Sequence, residues 1–274
     1  MNVHLVTLFL LLDPLFGFAK VLKEPKISNG YDVVNYDYPY IASYQLDKEH
    51  FCGCTLISQY WVLTAAHCID RALTVAKYRI SILAGILRLS DAAYGQMRTI
   101  QQQIKHPWYT KSAFKHDIGL VQVTSAFIPA VNVKWAILNY QSLYCNQLGI
   151  AGWGYKRSTN PQTNNQLQVA PVVWKSPYEC NQKTIIHGVT VTDEMICVVG
   201  QIGNETTCGG DSGGPLLCQA TDTTILPIGV ISWSLQPCGL QRDPSVSTDI
   251  FPYLDWIRLI VYPNVYIWGE YKIN

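Results

Sequence analysis

The 274-residue chain carries little charge. Lys, Arg, Asp and Glu make up 14% of it, 20 basic against 19 acidic, and no run of either sign stands out. Nucleic-acid binding needs a concentrated positive field to displace counterions, so that class has no support. No 20–50-residue period is present, which excludes a repeat array. Beyond the N-terminus no segment reaches membrane-spanning length without a charge or a proline. A coiled coil is excluded because 19 Gly and 14 Pro would break long helices. Disorder is excluded by a 49% hydrophobic fraction combined with the low charge. His4, His50, His106, His116 and His187 show no metal-ligand spacing, so surface or turn roles are expected of them. No metal and no cofactor is expected.

What the sequence does have is cysteine: nine, an odd number, which leaves at least one unpaired. Most would pair in an oxidising compartment. The N-terminus agrees. Leu5 to Leu12 is a short apolar run broken by Asp13 and Pro14, and Gly17 and Ala19 place a cleavage site after Ala19. Residues 1–19 are read as a signal peptide, with an N-terminal anchor or a buried helix as the alternatives; the n-region carries only His4. The expected product is a soluble, secreted, extracellular protein.

Past residue 40, short apolar runs alternate with turn residues: Ile41–Leu46, Trp61–Ala65, Ser81–Ala84, Gly119–Val123, Leu167–Val173, Pro215–Cys218 and Ile228–Trp233. Their lengths and β-branched content predict strands of an all-β sandwich or barrel. Lys156–Gln166 and Gln236–Asp243 read as surface loops. One helix is predicted, about 249–262, capped by Thr248 or Asp249, with Pro252 early and Leu254, Ile257 and Val261 on one face. The aromatic tail 263–274 is expected to pack on the surface.

Three segments carry chemistry: Leu63-Thr64-Ala65-Ala66-His67-Cys68, His116-Asp117-Ile118-Gly119-Leu120, and Cys208-Gly209-Gly210-Asp211-Ser212-Gly213-Gly214-Pro215-Leu216. A serine hydroxyl is a poor nucleophile at neutral pH. It needs a base in reach, and the base needs an acceptor to fix its tautomer. His67 can take the proton of Ser212, and Asp117 can accept from the other ring nitrogen. The order His, Asp, Ser is not that of subtilisin or the α/β-hydrolases, and no G-x-S-x-G elbow with the order Ser, Asp, His supports an esterase or lipase.

From about Ile27 to Ile260 the sequence resembles the trypsin/chymotrypsin-fold serine endopeptidases, on its TAAHC and GDSGGP segments. The resemblance implies two packed six-stranded antiparallel β-barrels with a C-terminal α-helix, and a site in the cleft between them. It implies hydrolysis of peptide bonds through a Ser-His-Asp triad and an acyl-enzyme, with an oxyanion hole from the N–H groups of Gly210 and Ser212. Ser232-Trp233-Ser234 resembles the strand that pairs with substrate backbone. Lys26-Ile27-Ser28-Asn29-Gly30 resembles an activation site, so 20–26 is read as a propeptide and 27–274 as the protease domain. A trypsin-like activating protease would cut after Lys26, and the Ile27 ammonium would pair with Asp211. Removing residues 1–26 takes away Lys20, Lys23, Lys26, Asp13 and Glu24, leaving 17 basic and 17 acidic side chains. A monomer with protein or peptide substrates is expected.

The same resemblance implies disulfides Cys52–Cys68, Cys145–Cys218, Cys180–Cys197 and Cys208–Cys238. Cys54 is left over as a buried thiol, an alternative partner of Cys68, one half of an intermolecular bridge, or a zinc ligand with Cys52, His67 and Cys68. Six residues before Ser212 lies Thr206, at the family's pocket base, where trypsin-like members carry Asp. Glu205 is expected to point elsewhere. Ser234 and Ser245 replace wall glycines and would narrow the slot. Small or medium uncharged side chains are therefore expected before the scissile bond, and Lys or Arg rejected, because their charge would be buried unpaired. Asn204-Glu205-Thr206 is a glycosylation sequon. Gly85–Ser90 contains no carboxylate, so the family's calcium loop is not expected. The rival reading is a protease-fold binding protein with weak or no turnover.

Overall fold

In the computed structural model of the chain, the structure describes residues 30–138, 145–157, 160–203, 205–221, 224–238 and 243–261. The signal-peptide, propeptide, Lys26, Ile27, Asn204 and tail readings lie outside the described residues. In chain order the strands are β1 (Tyr31–Asp32), β2 (Ile41–Leu46), β3 (Glu49–Leu56), β4 (Trp61–Thr64), β5 (Ile80–Ala84), β6 (Gln96–Lys105) and β7 (Gly119–Val123). There follow β8 (Gln147–Gly152), β9 (Tyr155–Arg157), β10 (Asn160–Thr163), β11 (Gln168–Lys175), β12 (Met195–Gly200), β13 (Pro215–Thr221), β14 (Thr224–Ser234) and β15 (Ser245–Asp249). The helices are α1 (Ala66–Ala72), α2 (Pro177–Thr184) and α3 (Leu254–Val261).

Strands β2-β3-β4-β7-β6-β5 close one barrel. Strands β11-β12-β15-β14-β13-β8 close the second through the β11–β8 pairing, and β1 adds to β11. Closure gives every barrel strand a neighbour on both sides along part of its length. One hydrophobic cluster joins them: Leu56, Leu63, Ile82 and Leu120 of the first barrel share it with Ala151, Val169 and Leu217 of the second. Ile250, Leu254, Ile257 and Val261 from the C-terminal segment pack into it as well.

The structure differs from the sequence reading at several places, among them α1, a helix over Ala66–Ala72 where the sequence reading has none. Lys156–Gln166, expected as a loop, contains part of the β9–β10 hairpin. The predicted helix 249–262 begins with a 3-10 turn at Phe251–Tyr253, because Pro252 removes a donor and Asp249 Oδ1 takes the Phe251 N–H at 3.0 Å. Helix α2 was not foreseen. It opens with a capping box, Ser176 Oγ accepting from Glu179 N–H at 3.2 Å and Glu179 Oε2 from Ser176 N–H at 3.0 Å.

All four expected disulfides are present. Cys54 is a free buried thiol, 3.4 Å from Ala42 O, and burial pushes its pKa far up. The stretch Gly85–Ser90 is held by the chain itself: Leu89 N–H donates to Asn165 O at 2.8 Å and Trp153 Nε1–H to Leu87 O at 3.1 Å.

Candidate active site

The candidate residues stand at the termini of three strands. After β4 the chain turns at Ala65 into α1, whose second residue is His67. Asp117 lies just before β7, and Ser212 just before β13. Asp117 is fully buried, so its charge requires donors. His67 supplies two: its main-chain N–H reaches Oδ1 at 2.9 Å and its Nδ1 reaches Oδ2 at 2.7 Å. The two bonds together fix the plane of the imidazole. With Nδ1 donating, Nε2 keeps its lone pair.

A third donor is the Ser232 hydroxyl, also on Oδ2. Ser232 is the extra residue of a bulge: Ile231 opposes Ser247 and Trp233 opposes Val246. A bulge re-aims a side chain out of the strand alternation, and here it turns the hydroxyl toward the carboxylate. Thr248 Oγ1 donates to the Asp117 carbonyl at 3.0 Å.

Ser212 is half-buried on a loop tied to both barrels. Gly53 N–H donates to Ser212 O at 2.8 Å, and Gly213 N–H to Ile231 O at 2.7 Å. Among the described residues no hydrogen bond joins Ser212 Oγ to His67 Nε2. That nitrogen has instead Cys68 Sγ at 3.6 Å, a disulfide sulfur with no proton to give. The N–H groups of Gly210 and Ser212 have no partner among the described residues. Gly210 has φ +98°, a conformation that a side chain would strain. Its carbonyl points away, into a hydrogen bond with His50 Nε2 at 2.9 Å, and His50 Nδ1 meets Ser43 Oγ at 2.8 Å.

His50 thus departs from the surface or turn role expected of it. It is buried, and burial lowers its pKa to about 4. It takes the neutral form, with Nε2 donating to the carbonyl. Asp211, next to Gly210 in the chain, is also buried, with Oδ1 accepting from Gly154 N–H at 2.8 Å and Oδ2 from Cys208 N–H at 3.0 Å. No cation pairs with it among the described residues. Burial therefore raises its pKa to about 6, against the lowering effect of those two bonds.

Thr206 and Ser245 come together at the expected pocket floor, their hydroxyl oxygens 2.8 Å apart. Ser245 Oγ also accepts from Thr207 N–H at 3.0 Å and from the Thr207 hydroxyl at 3.1 Å. Ser234 Oγ donates to Thr207 O at 2.8 Å. Glu205 turns elsewhere: its Oε2 accepts from Gly203 N–H at 2.8 Å and Ile202 N–H at 3.2 Å. Trp233 stands 6.4 Å from the Phe114 ring, and Phe114 stands edge-on 6.2 Å from His67. Sequence reasoning missed Ser43, His50, Phe114, Thr207 and Thr248. Thr207 had a signal, its adjacency to Thr206; the others reach the site only through long-range pairing.

Cys52, His67 and Cys68 offer ligand atoms within 4.8 Å of one another. The two sulfurs are bonded to each other, so neither is a thiolate, and the zinc reading that used them fails.

Residues 27–257 match the Trypsin family. Rat granzyme M is 32% identical over 87% of this chain and 90% of its own length. Human kallikrein-11 is 31% identical over 86% of this chain and 80% of its own. Mouse transmembrane protease serine 11C is 32% identical over 85% of this chain but 53% of its own. Among solved structures, mouse neuropsin, a serine protease, superposes with a TM-score of 0.72 at 30% identity, covering 85% of this chain and 98% of that one. The two closed barrels, the four disulfides and these likenesses converge: the chain belongs to the trypsin family of serine endopeptidases.

Proposed function

We propose that this chain is a secreted zymogen whose mature form cuts proteins or peptides after small or medium uncharged residues. Ser212 attacks the scissile carbonyl carbon as His67 Nε2 takes its proton. Asp117 holds the imidazole in place and stabilises the imidazolium. The oxyanion of the tetrahedral intermediate accepts from the Gly210 and Ser212 N–H groups. The intermediate collapses as His67 returns the proton to the leaving amine, leaving an acyl group on Ser212. Water, deprotonated by His67, then attacks the acyl carbon and restores the serine. The observation that carries this reading is the Asp117–His67 pair at 2.7 Å, which leaves Nε2 free to act as a base.

The specificity rests on the hydroxyl cluster. Ser245 Oγ is engaged by Thr206 and Thr207, so among the described residues the floor offers hydroxyls and no carboxylate to Lys or Arg, and less depth to large rings. Trp233 and Ser234 pair with β15 along one edge, and the Ser232–Ser234 segment leaves its other edge for substrate backbone. Activation after Lys26 would supply the Ile27 ammonium to Asp211, which is buried with no cation on it among the described residues. A pocket that rejects Lys makes self-activation slow, so a separate trypsin-like protease is required. Secretion is supported by the N-terminal apolar run and four disulfides. No helix among the described residues is long and apolar enough to cross a membrane.

The test is a cleavage-site profile of protein activated at Lys26. The account expects small or medium uncharged residues before the cut; a tight Arg or Lys preference contradicts the pocket reading. The rival, a binding protein on a protease fold, is favoured by one observation, the missing Ser212–His67 hydrogen bond. It predicts weak or no turnover of any peptide in that profile.

A further inference from the structure

We infer that His116 is a positioning residue for Asp117, acting through a hydrogen bond to Tyr253 at the start of the C-terminal helical segment. The inference rests on the triad reading above.

The backbone sets the problem. Ile118 N–H donates to His116 O at 2.8 Å, closing a three-residue turn centred on Asp117. The direction of the carboxylate therefore depends on the backbone of His116. That residue has φ +52°, in the left-handed region, and Phe114 two positions earlier has φ +50°. Side chains other than glycine adopt this region only when surrounding contacts hold them there. The loop has no glycine between Phe114 and Asp117 to make it easy.

The holding contact is specific. His116 Nδ1 lies 2.8 Å from the Tyr253 hydroxyl, and Tyr253 is buried in the 3-10 turn before α3. The His106 ring sits against the same group, with centroids 5.3 Å from His116, 5.0 Å from Tyr253 and 4.9 Å from Trp256. The main-chain N–H of His106 donates to Ile118 O at 3.0 Å, on the other side of Asp117. Both neighbours of the carboxylate are thus anchored to one aromatic group, and that group belongs partly to the C-terminal segment. Neither His116 nor Tyr253 belongs to the hydroxyl cluster of Thr206, Ser234 and Ser245, so their effect falls on the chemical step and not on substrate capture. When Asp117 is poorly held, the imidazolium of His67 is less stabilised. Turnover falls, and the acidic limb of the pH profile moves to lower pH.

The experiment uses the full chain cleaved after Lys26, as wild type, Tyr253→Phe, His116→Asn, His116→Ala and the double variant Tyr253→Phe/His116→Ala. Tyr253→Phe keeps the ring against His106 and removes only the hydroxyl, so it separates the hydrogen bond from packing and serves even where His116→Ala does not fold. We expect Tyr253→Phe to lower kcat roughly 10-fold, less than the ~10² of a full 1 Å misplacement. KM stays within twofold, and the acidic limb moves down by about half a pH unit. The double variant is expected to be no worse than His116→Ala, since both remove one link, and His116→Asn to recover part of the loss. Unchanged kcat and pH profile in Tyr253→Phe, with normal wild-type turnover, overturns this inference alone. So does a double variant whose losses multiply. Absence of wild-type turnover overturns the triad reading and this inference with it.

Discussion

At the scale of single residues, Asp117 has the most convergent environment: two donors from His67, one from Ser232, and Thr248 on its carbonyl. Asp117→Asn replaces an acceptor with an amide that can donate, which favours the wrong tautomer of His67. It is expected to lower kcat by about 10⁴-fold with the fold intact, measured by steady-state kinetics of the activated enzyme. Ser245 makes the second prediction. Ser245→Gly removes the oxygen on which Thr206 and Thr207 converge and deepens the slot. The kcat/KM ratio for Phe over Ala before the scissile bond should rise about 10-fold or more, as changes of this size in apolar pockets are worth about 1–3 kcal/mol. An unchanged ratio would place specificity elsewhere.

At the scale of elements, α3 shows how a sequence pattern becomes a packing face. Ile257 is fully buried in the core shared by the barrels, whereas Leu259 is 82% exposed. Ile257→Ala is expected to cost about 2–5 kcal/mol by cavity formation, and Leu259→Ala less than about 0.5 kcal/mol; urea unfolding measures both. This face was legible because Leu254, Ile257 and Val261 follow helical period. Strands β2 and β7 were legible end to end, since turn residues bracket their apolar runs. The β9–β10 hairpin was not, because its polar residues carry no alternation. α2 was legible but overlooked: Ser176, Pro177 and Glu179 spell its capping box. The bulge that aims Ser232 at Asp117 depends on register with β15, and no local pattern encodes register. Motif content singled out His67, Asp117 and Ser212, and the structure pairs the first two. Motifs could not give His116–Tyr253 or Ser43–His50, whose partners lie on separate elements.

At the scale of the whole molecule, two buried titrating groups oppose each other in the uncleaved chain. Asp211, raised to about 6, binds a proton more readily when folded, so its contribution to stability falls as pH rises from about 4 to 6. At neutral pH that is a cost on the order of 3 kcal/mol, which a paired ammonium would offset. His50, lowered to about 4, is held neutral, so its contribution is lost as pH falls from about 6.5 to 4. Relative to wild type, His50→Gln should gain stability as pH falls through this window, and Asp211→Asn should lose it. Denaturant midpoints against pH test the pair; parallel curves for both variants would refute the assignment. Non-reduced protein should expose one alkylatable cysteine on unfolding, Cys54, by mass spectrometry.

The most direct measurement treats the protein, before and after cleavage at Lys26, with a sulfonyl fluoride or organophosphate and maps the adduct by mass spectrometry. The account predicts one adduct per chain, on Ser212, formed rapidly only after cleavage and lost in His67→Ala. Cleaved wild-type protein that leaves Ser212 unlabelled would contradict it.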